Sequence, residues 1–491
     1  TDASSAANNG ILANSALIGN ASNWVGFKVD APEGYLIKSS KTNNITAPVN
    51  GTVVTDDNNL SDGIGAVNIL AGVQTYNGWI NFTDTTSYYY KVYPYSNSGT
   101  SIVYNTMATV PWVKDSVEID EFKDVSSFLE LTQGSSAWAD YNNDGLMDLL
   151  LTGGNSYNAQ KQLINSITRL YQQNADHSFS IVDKGFPQVS KGSVAWADYN
   201  NDGLLDLIIS GATGYYPLNG NVAGIITRLY KQNSDNSFTY VSSANFPNVY
   251  KSSIAWIDYN NDGDLDLLIS GYQNVAPFYI TKIYKNMGND TFKEQTEILF
   301  DNVIEGSVAV GDYNKDGFDD VLISGYGDRV GNVTKLYKNN GEGLLLEQEN
   351  LSLPVSNSPS VNFMDYNNDG YPDILIDDKI CKNNQNGGFE EINMDSTLEY
   401  DYVSNDIGDF NNDGLPDILI TGDDANRVSQ EWVYSYLYKQ LPNQTFSRSD
   451  FSFINMVYGD AKFIDYDNDG NLDVFLSGES YSQACQLCDL I

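Results

Sequence analysis

Cysteine, histidine and basic side chains are scarce in this chain of 491 residues. Three cysteines, Cys381, Cys485 and Cys488, are too few for a disulfide framework, and one Cys-x-x-Cys without a second pair does not make a zinc site. Residues three apart in a strand face opposite ways, which argues against a Cys485–Cys488 disulfide and leaves an intermolecular bridge open. The single histidine, His177, stands in a Gln-Asn-Ala-Asp-His-Ser turn and reads as a solvated surface residue rather than a catalyst. With 26 Lys and Arg against 64 Asp and Glu, the formal net charge is −38, which repels nucleic acid and anionic lipid. No run of 18 apolar residues occurs, so no membrane-spanning helix is expected. The Gly-x-Ser-x-Gly elbow and the phosphate-binding glycine loop are both missing. No nucleophile beside a base and no distinct acid pair stands out, so the expectation is a protein that is not an enzyme; glycosidase chemistry through an aspartate pair is disfavoured.

What is abundant points elsewhere. The 34 Tyr and 41 Gly, with many Asn, Ser and Thr, suit a protein of strands and turns, and the length calls for several domains or a repeat. The start at Thr1, without Met, reads as a processed secretory product. The Ser, Ala and Asn-rich stretch Thr1–Ser22 is expected as an extended segment packed against something.

One phrase recurs seven times, first as Asp140-Tyr-Asn-Asn-Asp-Gly-Leu-Met-Asp148, and the starts lie 58, 60, 54, 53, 44 and 56 residues apart. Such spacing fits one four-stranded propeller blade per copy. Oxygen-bearing side chains stand at positions 1, 3, 5 and 9, glycine at 6, and position 7 offers its carbonyl. A hard cation that needs six to eight oxygens is satisfied by alternate residues of a tight loop, with glycine allowing the turn. The expected ligands are Asp140, Asn142, Asp144, Leu146 and Asp148; Asp198, Asn200, Asp202, Leu204 and Asp206; Asp258, Asn260, Asp262, Asp264 and Asp266; and Asp312, Asn314, Asp316, Phe318 and Asp320. The last three copies supply Asp365, Asn367, Asp369, Tyr371 and Asp373; Asp409, Asn411, Asp413, Leu415 and Asp417; and Asp465, Asp467, Asp469, Asn471 and Asp473. An EF-hand would carry glutamate at position 12, where every copy here is apolar and opens into a buried strand. Calcium suits these loops better than magnesium, which demands rigid octahedral geometry. Seven calcium ions are expected, and their fourteen charges would bring −38 to −24.

Each copy continues into four strands, and Trp138, Trp196 and Trp256 recur two residues before the leading aspartate, as packing between blades. Cys381 and Cys488 fall where other copies have Tyr171, Tyr230, Tyr284 and Tyr337, as strand substitutions. The seventh copy runs out before its fourth strand, whereas Glu121-Phe-Lys-Asp-Val125 is a fourth strand without a blade; joined, they close the ring.

The Asp-x-Asn-x-Asp-Gly-x-x-Asp pattern ahead of a hydrophobic strand and a glycine resembles the FG-GAP/VCBS repeats of integrin α-subunit propellers and of many secreted microbial proteins, over about Val117–Ile491. The literal Phe-Gly and Gly-Ala-Pro words are mostly missing, which favours the VCBS-like branch and bars the transfer of integrin ligands. Leu472-Asp-Val474 lies inside a metal loop and strand rather than forming an adhesion motif. Ahead of the repeats, Trp24–Val29, Gly34–Lys38 and Thr86–Tyr95 alternate as half-buried strands and resemble a fibronectin type III-like sandwich. The expected fold is all-β: an extended segment 1–22, a sandwich 23–110, a linker 111–117 and a seven-bladed propeller 118–491.

The resemblance implies a secreted or cell-surface recognition or adhesion module that binds protein or glycan. A structural subunit of an extracellular fibre, sheath or appendage, made of copies of itself, is the competing reading, and an accessory module of a larger secreted enzyme the third. Strand order puts the links opposite the metal turns on the partner face, where the long insertions Gly153–Ile167 and Gly211–Ile226 single out Tyr157, Tyr215 and Tyr216 as candidate ligand contacts. Nine sequons, at Asn20, Asn44, Asn50, Asn59, Asn81, Asn289, Asn332, Asn350 and Asn443, permit a glycoprotein.

Overall fold

The computed structural model describes residues 34–40, 45–50, 52–57, 59, 64–70, 87–96, 103–104, 113–116, 122–126, 128–157, 163–214, 224–328, 330–394, 400–424, 433–449, 451, 453–480 and 486–490. The chain divides into two compact units, the second of them Phe122–Phe410 with Leu415–Asp489. Tyr215, Tyr216, Asn20, Asn44, Asn81 and the segment Thr1–Ser22 lie outside the described residues.

In the first unit, the described residues form one five-stranded antiparallel sheet. Strand Gly34–Ser40 pairs with both Ile64–Leu70 and Ser87–Ser96, and its alternating side chains bury Leu36 against Ala66 and Tyr93. Within the expected linker 111–117, Val113–Ser116 is a strand, with Val113 opposite Tyr90 and Ser116 opposite Ser87. The tyrosine-rich strand Ser87–Ser96 is ten residues long, and its second edge takes this segment as a hydrogen-bonding partner.

The second unit is a β-propeller. Six four-stranded antiparallel sheets are each built from consecutive strands, within Thr132–Val182, Val194–Tyr240, Tyr250–Glu294, Val303–Glu347, Val361–Asn393 and Tyr400–Arg448. A further four-stranded sheet is composite: Ala461–Ile464, Asp473–Leu476 and Gln486–Leu490 are completed by Phe122–Ser126 from the other end of the unit. We number these sheets one to seven in that order.

The second strand of each sheet explains the architecture. Asp206–Ala212 is buried along its whole length, as are Asp373–Ile376 and Asp473–Leu476. A strand covered on both faces reads as a continuous apolar run instead of alternating, and the cover comes from the neighbouring sheets. Leu150 and Leu170 of sheet one share a core with Val194, Leu207, Ile209 and Tyr230 of sheet two. Leu149, Leu151 and Tyr171 of sheet one share another with Tyr466 and Phe475 of sheet seven. The core is thus a circular series of layers between sheets.

The tryptophans are half-buried in these layers, as expected. Trp196 stacks on Tyr141 at 6.0 Å and Trp256 on Tyr199 at 6.1 Å, each reaching the loop of the preceding sheet, while Trp138 meets Phe475 edge-on at 5.3 Å. Cys381 pairs opposite Ile374 as Tyr230 pairs opposite Leu207, and Cys488 opposite Val474. Burial pushes the Cys381 thiol up to about 12, so it behaves as a small apolar side chain.

Candidate functional site

Each first strand has chemistry at both ends. At its C-terminal end the Asp-rich phrase folds into a turn with one geometry. The carboxylate at position 1 accepts the backbone N–H groups of positions 5 and 6, as Asp140 does from Asp144 at 2.9 Å and from Gly145 at 2.8 Å. The position-5 carboxylate accepts the N–H of position 7, as between Asp202 and Leu204 at 3.1 Å. Glycine at position 6 has φ between 85° and 90° in all seven turns, and position 4 is also left-handed, at Asn143, Asn201, Asn261, Lys315, Asn368, Asn412 and Asn468. Asn tolerates that region best, which accounts for its recurrence at a position with no ligand role. From there Asn468 Nδ2 reaches the Gly145 carbonyl at 2.9 Å, and Asn261 Nδ2 the Gly317 carbonyl at 3.1 Å, so neighbouring turns hold one another.

Position 9 opens the second strand and is buried. Asp206 Oδ1 accepts the Gln232 N–H at 2.8 Å while its Oδ2 accepts Asn200 Nδ2 at 2.6 Å; Asp148, Asp266, Asp320, Asp373 and Asp417 likewise accept an N–H from the third strand. Burial pushes Asp148, Asp206, Asp266 and Asp320 up to about 7 and Asp373 to about 6, against the pull of those N–H bonds. Asp148 Oδ2 is buried with no hydrogen-bond donor. In sheet seven, carboxylate oxygens of Asp465, Asp467 and Asp473 lie within 4.8 Å of one another. An orphaned buried carboxylate oxygen, three converging carboxylates and an all-oxygen donor set fit a hard divalent cation and no softer metal.

The residue that binds position 9 does a second job. Gln232 Nε2 donates to the Tyr141 carbonyl at 2.8 Å, and Asn286, Asn339, Asn383 and Gln440 repeat this to Tyr199, Tyr259, Tyr313 and Tyr366. Gln173 makes the same bond to Tyr466, at 2.9 Å, and so ties sheet one to sheet seven. Sequence reasoning missed this staple, although the recurring Gln or Asn immediately after the third-strand Lys or Gln was its signal.

At the other end of the first strands a cavity of about 360 Å³ is lined by seven residue pairs, each within or just ahead of the first strand of one sheet. The leading residues, Gln133, Lys191, Lys251, Glu305, Ser358, Tyr402 and Tyr458, all have φ between 45° and 65°. Four of them sit where the register of the first strand slips, at Thr132/Ser135, Tyr250/Ser253, Ile304/Ser307 and Asp401/Ser404. The turned-out backbone bonds sideways: Gln133 N–H donates to the Tyr458 carbonyl at 2.5 Å, Lys191 to Gln133 at 2.6 Å and Lys251 to Lys191 at 2.5 Å. Glycine follows at sheets one, two, four and seven; a Cβ on Gly192 would lie 1.9 Å from the Ser210 carbonyl. Into the cavity mouth come the Lys251–Glu305 ion pair, Lys191, and Tyr402 and Tyr458 with ring centroids 4.6 Å apart.

The insertion expected as a loop in sheet one is mostly an extended hairpin, Asp148–Tyr157 against Leu163–Gln173, with Tyr157 at its tip. His177 is exposed in its turn, as expected, its ring 6.2 Å from Tyr466.

A family model for FG-GAP-like repeats matches residues 140–209, 219–269, 312–376 and 409–476, together just over half of the chain. Over 150 residues, 26% of this chain, the sequence is 27% identical to integrin alpha-3 of Cricetulus griseus and of Mus musculus, and the match spans only 14% of the length of those relatives. Among solved structures, a rhamnogalacturonan lyase of Bacillus licheniformis shares 12% identity at a TM-score of 0.42, covering 92% of this chain and 84% of that one. The exotype rhamnogalacturonan lyase YesX shares 11% at a TM-score of 0.46, covering 85% and 82%. Likenesses this distant do not bear on function. The repeat match, together with the turn that recurs in every sheet, makes this chain a member of the FG-GAP-like repeat family.

Proposed function

We propose that this chain is an extracellular, calcium-loaded recognition module: a seven-bladed propeller, behind a fibronectin type III-like domain, that binds protein or glycan at a cell surface and does not catalyse. The observation that carries the reading is the division of chemistry along the first strands. At one end the acidic turns spend their donors and acceptors on one another and on the third strands, which suits a structural ion. At the other, a mixed set of lysine, glutamate and tyrosine side chains lines an open cavity, which suits a ligand. The count of seven blades is supported by the composite sheet and by the Gln173–Tyr466 staple.

Calcium would be held by the side chains at positions 1, 3, 5 and 9 and the carbonyl at 7, and when bound it supplies positive charge that lets neighbouring carboxylates stay ionised at close range. The position-9 aspartates orient the turn through the third strand. A shell filled by protein oxygens leaves no open place for a substrate, so the role is structural. Sequons at Asn50, Asn59, Asn289, Asn350 and Asn443 are exposed and accessible to glycosylation in a secretory compartment.

Chelation is the test. Calorimetry in excess chelator should show the propeller transition falling by tens of degrees, restored by millimolar calcium but not by magnesium, with attachment to cell or matrix preparations lost in parallel. A melting curve indifferent to chelator after elemental analysis confirms metal removal overturns the reading.

A further inference from the structure

On the basis of the recognition reading above, we propose that the axial cavity is a glycan site that takes a carboxylate-bearing sugar, with Lys191 and Lys251 on the carboxylate and the Tyr402–Tyr458 pair against the sugar ring. The lysines come from sheets two and three and the tyrosines from sheets six and seven, so around the ring the cationic and aromatic walls stand across the cavity from each other. A pyranose has this same two-sided chemistry, with an apolar C–H face and a polar edge. The aromatic face accepts the first, while Glu305 and Gln133 offer hydrogen bonds to hydroxyls of the second.

Charge selects the acid. In a chain of net charge −38, the lining of this mouth carries two ammonium groups and one carboxylate. Lys191 is held below the usual lysine range first by burial and then by Lys251, so a ligand carboxylate beside both would relieve a cost already present. The overall negative charge disfavours a polyanion, and the ligand is therefore one acidic sugar on an otherwise neutral chain.

The neutral remainder has a path. Tyr250, next to Lys251, meets Tyr272 at 5.3 Å, which stacks on Phe278 at 5.9 Å, and Tyr279 continues to Tyr326 at 6.4 Å. Tyr250 itself is buried, while Phe278 is 49% exposed and Tyr326 46%, so the outer end of this aromatic series, over sheets three and four, is open to a ligand. Sugars following the acidic one would lie along it. A peptide carboxy terminus would also suit the lysines, but its backbone offers the paired tyrosines no flat C–H face.

Titration calorimetry of the full chain in millimolar calcium, with a glucuronate-terminated trisaccharide and the same trisaccharide reduced at the carboxyl to the alcohol, tests this directly. The acid form should bind and the reduced form bind about tenfold more weakly, as befits loss of one charge-assisted contact. Lys191→Gln should narrow that difference without lowering the melting temperature, and Phe278→Ala should weaken the trisaccharide but not glucuronate alone. Equal affinity for the two trisaccharides, binding of neither, or preference for an acidic-terminated peptide overturns the inference. If attachment to cells stays calcium-dependent in that case, the recognition reading survives and only the acidic-sugar assignment falls.

Discussion

Two residues show how this repeat tolerates departures from its own pattern. Where sheets two and seven end their second strands with a serine that accepts an N–H, Ser210 from Ser193 and Ser477 from Asp460, sheet five has Asp377. Its carboxylate accepts the Ser360 N–H at 2.9 Å and the Ser356 hydroxyl, yet burial pushes it up to about 7. A carboxyl raised above its unfolded value of 3.8 favours folding while protonated, so its contribution is complete below about pH 4 and is lost as pH rises through about 7. Relative to Asp377→Ser, the wild-type chain should lose stability across that window, and denaturation in urea from pH 4 to 8 should show the two curves diverging. Gly192 tests packing instead of charge. Its close approach to the Ser210 carbonyl leaves no room for a methyl group, and Gly192→Ala should cost upwards of about 4 kcal/mol in the same assay, a loss reserved for severe steric conflict.

At the scale of the element, the acidic turn was readable because its residue types and spacing are written in consecutive residues, from Asp140 to Asp148 and six times after. The strand run that follows was readable because both its faces are covered. The cavity was not. Its defining feature is a left-handed backbone at Gln133, Lys251, Glu305 and Tyr402, and none of these residue types advertises that conformation as glycine or asparagine would. The aromatic strip through Tyr272, Phe278 and Tyr326 was invisible for a related reason, since it is assembled from two hairpin tips with no shared spacing. The strand Phe122–Ser126, in contrast, was anticipated from a missing fourth strand elsewhere. Deleting residues up to 127 should expose the edge of Gln486–Leu490; a lower melting temperature and concentration-dependent association by light scattering are the expected outcomes.

For the whole molecule, the acidity and the architecture have one explanation. A net charge of −38 would oppose compactness, but its largest concentrations are the seven turns, and the calcium ions proposed for them would offset that repulsion where it is strongest. One site kept at a hundred times its dissociation constant adds about 2.7 kcal/mol, so a few such sites rival the roughly 5–15 kcal/mol that holds an ordinary domain together. The steep response to chelator expected above follows from this arithmetic, and it should be graded: Asp206→Ala, which removes one proposed ligand and strands the Gln232 N–H, should lower the melting temperature in calcium without abolishing the dependence on calcium.

The composite sheet also decides how the ring would behave under load. Tension applied between residues 122 and 490 is borne by neighbouring strands of one sheet and bypasses the other six. A tether anchored at both points would therefore fail at a single seam, leaving six intact sheets on an opened chain that can rejoin when the pull is released.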